Sequence, residues 1–199
     1  MSMNWRQKQK EKLREHLFEI SLELFKEQGY EQTTVQQITE KASVAKGTFF
    51  NHFPSKEHVV VEWYNRLTDE SLAQVKKRGF SCAKEAVWEM AHAMAVHALK
   101  KPELLDVKAR IVHASTMLTH AERKQDEEVG AFFQEHIRVG KQRGEIDAGV
   151  DEAFFADMIV ALLTGTSHGW VLSRHGFDLN KTIQERIDFL FRAARPQSD

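Results

Sequence analysis

Residues 33–56, TTVQQITEKASVAKGTFFNHFPSK, constrain the fold more than any other part of the chain, because they read as two short helices separated by a tight turn. Thr34 can cap the first helix, and Gln37, three residues on, can answer it in a capping box. Val35, Ile38 and Ala42 then fall on one face at helical spacing. Ser43 and Val44 make the turn. A second helix follows from about Ala45, with Phe49 and Phe53 sharing a face while Lys46, Thr48 and His52 point elsewhere. Pro54 stops it, and Ser55 can cap the next helix. Two short helices at a steep angle, the second opening on small polar and basic groups, fit a major groove.

These residues resemble the helix-turn-helix of the tetracycline repressor (TetR) family of bacterial transcription regulators. The resemblance begins in the preceding helix, at Leu24-Phe25-Lys26-Glu27-Gln28-Gly29-Tyr30. It continues through Thr34-Val35, Ile38, Ala42, Val44, Lys46-Gly47-Thr48, His52-Phe53 and Lys56-Glu57. It implies that Thr34, Lys46, Thr48, Phe50, His52 and Lys56 stand at positions that touch DNA, with His52 and Lys56 reaching the flanking strand. Gly47 allows close backbone approach, and the start of the second helix favours phosphate through its free N–H groups. Two residues depart from the pattern. Phe50 replaces a tyrosine whose hydroxyl would bond a phosphate, a loss of ~1 kcal/mol. Ser43 replaces a glycine; a left-handed serine costs on the order of 1 kcal/mol, which leaves a differently shaped turn open.

Only three prolines in 199 residues, with long runs of Ala, Leu, Glu, Lys and Gln, indicate an all-α protein. The expected architecture is a three-helix head joined to a C-terminal helical bundle, about nine helices in all. The head is expected over residues 1–70 and a ligand-binding and dimerisation domain over 71–199. Net charge is −1, which excludes a bulk polycation. Before residue 15, however, Arg6, Lys8, Lys10, Lys12 and Arg14 face only Glu11. This basic arm suits phosphate or minor-groove contact, and it reads equally well as a solvated tail. Cys82 is the only cysteine, so no internal disulfide is possible and a reducing cytoplasm is the natural setting. No signal peptide is read at the N-terminus, and the apolar run at 154–165, broken by Asp157, reads as too short to span a bilayer.

The first helix is expected from Gln7 to Gln28, with Gly29 as a left-handed cap. A linker helix follows from Ser55 towards Lys76, burying Val59, Val60, Trp63 and Leu67. The body restarts at Cys82 with a stripe of Ala83, Val87, Met90, Met94 and Ala98. Pro102 can open the next helix, and a further helix covers roughly Ala121 to Arg143. From Ala153 to Leu163 only Asp157 is polar, so this helix needs cover on both sides. Ala161, Gly165 and Gly169 recur every four residues as a smooth strip. Phe155, these three, and Ile183, Ile187, Leu190 and Phe191 of the last helix are the expected contacts of a two-fold four-helix interface, which the resemblance also implies. The alternative is a larger monomeric bundle.

A ligand pocket is read from Trp88, His92, Met94, Met117, Phe133, His136, Met158 and Trp170, which combine apolar bulk with a few polar tips. Each reads equally well as core. The ten histidines are scattered, with no HExxH and no close His-Cys cluster; His168 and His175 could share a face, a weak metal signal. Neither a GxSxG turn nor a glycine-rich phosphate loop is present. The expectation is therefore no enzyme, no cofactor and no membrane partner. The chain is expected to be a DNA-binding regulator, a repressor released from a palindromic operator by a small-molecule effector. The competing expectation is a helical small-molecule-binding or enzymatic protein that keeps the helix-turn-helix as scaffold.

Overall fold

The computed structural model describes residues 5–111 and 116–196, and side chains outside 112–125. Among these residues the chain is all helical. The first four helices are α1 (Trp5–Gln28), α2 (Val35–Lys41), α3 (Lys46–Phe50) and α4 (Lys56–Val75). Five more follow: α5 (Ala83–Ala98), α6 (Pro102–Ile111), α7 (Thr116–Gln142), α8 (Glu152–Leu172) and α9 (Leu179–Ala193). Two compact units result, residues 1–63 and 64–199, and the division falls inside α4. The expected 70/71 boundary lies about two turns further along the same helix.

In the head, α1 packs on α2 and α2 on α3. Leu17, Phe25, Ile38, Phe49, Phe53, Val59 and Val60 form its centre, all at most 1% exposed. Helices of five and seven residues cannot stand alone; this shared apolar centre holds them. The basic arm is part of α1, because Arg6, Lys8, Lys10 and Lys12 all lie within its first turns.

The body packs α7 on α8, and α5 on both α7 and α9, around Met90, Phe133, Ile137, Ile159 and Ile187. Cys82 caps α5, its sulfur accepting from the Glu85 N–H at 3.4 Å. Asp151 and Asp178 cap α8 and α9 in the same way through their carboxylates.

The residues expected at the dimer interface divide into two groups. Phe155, Ile183, Ile187 and Phe191 are buried within their own chain, and the rings of Phe155 and Phe191 meet at 5.4 Å. They belong to the bundle. The other side of α8 carries Phe154 (64% exposed), Met158, Ala161, Gly165 and Leu172 (71%), with Phe189 (64%) on α9. Gly169 and Leu190 are half-buried. The apolar run at 154–165 read as too short to span a bilayer, but the whole of α8 has 21 residues and an 18-residue window of mean hydropathy 1.2, enough by length and composition to cross a membrane. In the fold its inner face packs on α6, α7 and α9.

Candidate nucleic-acid interface and internal cavity

The capping box forms as read. The Thr34 hydroxyl accepts from the Gln37 N–H at 3.2 Å, and Gln37 Oε1 accepts from the Thr34 N–H at 2.8 Å. At the other end of α2, Ser43 lies at φ +56°. Its N–H donates to the Glu40 carbonyl and that of Val44 to the Thr39 carbonyl, the paired bonds of a Schellman ending. The turn therefore keeps the shape a glycine would take, and serine adopts it.

Ala45 caps α3 in an extended conformation without a side-chain bond. Phe49 and Phe53 are fully buried and fix the rotation of the helix. Lys46, Gly47 and Phe50 are left exposed and Thr48 half-exposed, with Thr34 exposed at the start of α2. A Cβ added at Gly47 would meet nothing within 4 Å, and its φ is not positive. Nothing among the described residues of the head demands glycine there.

His52 and Lys56 are only partly available. Burial first, then the positive charges of Arg14 and Lys10, push the His52 imidazole below its ordinary value, and its Nδ1 is buried without a partner. Lys56 was expected to reach a flanking strand. Instead its ammonium donates to the carbonyls of Tyr30 (2.7 Å) and Thr33 (2.8 Å) and sits 4.0 Å above the Tyr30 ring. Two of its three donors tie the start of α4 to the α1–α2 loop. Burial is the main cause of its lowered pKa.

Arg14 was read as part of a basic arm, but it is a positioning residue. Its guanidinium bonds the His52 carbonyl and the Glu62 carboxylate and lies 4.2 Å from the centre of the Phe53 ring. A second brace was not read at all: the Tyr30 hydroxyl donates to Glu57 at 2.9 Å. A tyrosine after a helix-ending glycine was the only available signal.

The body holds a partly open cavity of about 40 Å³, its walls mainly apolar, with Tyr64, Met94, Asp126, Thr164 and Ser167 among the lining residues. Of the seven residues read as pocket whose side chains are described, Met94 is the one among its lining residues. Trp88 stacks on His92, which meets Asn180 at 3.1 Å. Phe133 is core, and His136 donates through Nδ1 to the Phe132 carbonyl. Trp170 is buried and donates to the Phe177 carbonyl, while Met158 is exposed. Met117 lies outside the described side chains. Among the described residues no three His, Cys, Asp or Glu groups gather as a metal site. His175 bonds Asp106 at 2.9 Å and stacks on Trp170.

A family model for bacterial regulatory proteins of the tetR family matches residues 17–62, which include every element of this interface. Over residues 17–62 this chain is similar to the TetR family. It is 42% identical over 73 residues to the HTH-type transcriptional regulator TcmR of Streptomyces glaucescens, an alignment covering 37% of the chain and 32% of that protein. The chain thus spans about a third of TcmR. Against the fatty acid metabolism regulator protein of Bacillus subtilis it is 26% identical over 184 residues, 86% of the chain and 90% of that protein. The TetR fold extends over both units. Thermus thermophilus FadR, a TetR-family transcriptional repressor solved in complex with lauroyl-CoA, superposes with a TM-score of 0.80 at 20% identity, covering 94% of this chain and 97% of that one. Bacillus subtilis FadR, solved with stearoyl-CoA, gives 0.70 at 20% identity, covering 89% and 97%.

Proposed function

We propose that this protein is a cytoplasmic, non-enzymatic transcriptional repressor that binds a palindromic operator as a homodimer and leaves it when a small molecule enters the body. The observation that carries this reading is the α2–turn–α3 unit: Phe49 and Phe53 anchor it, while Thr34, Lys46, Gly47, Thr48 and Phe50 stand at its surface. Short polar and basic groups on a helix held at that angle suit base edges and phosphates of a major groove. Reading a palindrome requires two such helices about one groove repeat, ~34 Å, apart. The exposed apolar face of α8 and α9, with Phe154, Met158, Leu172 and Phe189, is the surface through which two copies would meet.

The effector class we favour is a long-chain acyl-CoA. Its support is the full-length likeness to a fatty acid metabolism regulator, together with the mainly apolar cavity. A drug-sized ligand occupies ~300 Å³ or more, so binding requires the cavity to widen. Such a ligand moves the protein between states only by its difference in affinity for them. The scaffold-only alternative is set aside, since Lys46 and Gly47 stand exposed at the start of α3 and outside the head core.

The test is a gel shift with DNA flanking the gene's own promoter, with and without lauroyl-CoA. Binding that weakens with salt and is released by lauroyl-CoA supports the reading. Absence of duplex binding sinks the repressor; retained binding at saturating lauroyl-CoA sinks only the effector class.

A further inference from the structure

The first three turns of α1 carry five cations, and they divide into two kinds. At 100° per residue, Arg6, Lys10 and Arg14 form one stripe at i, i+4, and Leu17 continues it into the head core. Lys8 and Lys12 fall on the opposite side, where Glu11, Glu15 and Glu19 also lie. Each of those two lysines has a carboxylate one turn on, at i+3. Lys10 has none; its neighbours at three and four residues are Gln7, Arg6, Leu13 and Arg14.

The stripe is fixed relative to α3. Arg14 bonds the carbonyl of His52, just past the end of α3, so the stripe passes that point and runs on beyond the core. Lys10 stands one turn, ~6 Å, further along the axis and Arg6 ~12 Å. Where the same face would otherwise be apolar for packing, the exposed residues are cationic. The positive charge of Lys10 is felt at His52, which places the two in the same neighbourhood.

We propose that the Arg6–Lys10 stripe of α1 is a second DNA contact, binding phosphates of the duplex backbone next to the site of α3, while Lys8 and Lys12 remain solvated. This rests on the DNA-binding reading above and extends it from α2 and α3 to a third helix. The stripe carries no base-reading group, so it adds affinity without sequence preference.

The experiment is a fluorescence-anisotropy titration of the full chain with the promoter duplex and an unrelated duplex at several salt concentrations. Wild type is compared with Lys10→Gln, Arg6→Gln/Lys10→Gln, and Lys8→Gln/Lys12→Gln. Each lost phosphate contact lowers the slope of log K against log salt by about one unit. The expected result is a drop of about one for Lys10→Gln and about two for the Arg6–Lys10 pair, with both duplexes weakened by the same factor. The Lys8–Lys12 pair should leave the slope close to wild type. Equal slopes for the two double variants, or no change in Lys10→Gln, overturn the stripe while leaving the repressor intact. A wild type that binds no duplex overturns both.

Discussion

Ser43 holds a left-handed backbone at φ +56° with its side chain exposed. For a residue with a Cβ this conformation costs ~1 kcal/mol, and glycine would give back ~0.5 kcal/mol through the freedom of its unfolded chain. Ser43→Gly should therefore stabilise the protein by a net ~0.5 kcal/mol, read as a higher urea midpoint at unchanged slope. A lower midpoint would mean the serine side chain has a stabilising partner. The departure from glycine was legible in the sequence, but its outcome was not, because the Schellman bonds that impose the turn come from backbone groups of Glu40 and Thr39. The internal bonds of Lys56 were hidden for a related reason. Its partners are carbonyls 23 and 26 residues earlier, and a carbonyl looks the same in every residue.

Among the elements, the capped start of α2 was fully legible, since a Thr and a Gln three apart define it locally. The covered face of α8 was not. Its sequence is apolar nearly all round, so it shows that two partners exist without showing which side meets which; α9 decides it by taking Phe155. Pocket and core are equally hard to separate: Phe133 and Trp170 have the composition of a ligand wall and the burial of a core. At the start of α4 and the end of α3, chemistry and stability are linked through His52 and His58. Burial is the main cause in both imidazoles of a pKa below 6.5. Above that value neither the folded nor the unfolded chain is charged there. As pH falls below it the unfolded chain takes the protons first, so stability drops until the folded values are passed. Glu57, whose pKa is also lowered, loses its contribution only below 4.5, outside this window. Urea unfolding of wild type and His52→Gln between pH 7.5 and 5 should show wild type losing stability faster towards acid. Parallel profiles would mean His52 is as easily charged folded as unfolded.

For the whole molecule, the homodimer proposed above would assemble through the outer face of α8. A Cβ at Gly165 meets nothing within 4 Å in a single chain, so Gly165→Leu has room in the protomer. Across a close helix contact the same side chain overpacks by ~1–3 kcal/mol. Sedimentation should show Gly165→Leu shifted towards monomer at concentrations where wild type is dimeric, with helix content and folding unchanged. An intact dimer would place the interface elsewhere than Gly165.

The cavity of about 40 Å³ carries one more consequence. If the proposed effector enters there, a cavity this small must widen first, and the apparent affinity for the signal falls by the fraction of molecules already open. The dose at which the gene switches on is then set partly by packing around Met94 and Leu163, and not only by the groups that touch the signal. Two such regulators with the same contacts to one metabolite could answer at different intracellular levels, tuned by how tightly each closes when alone.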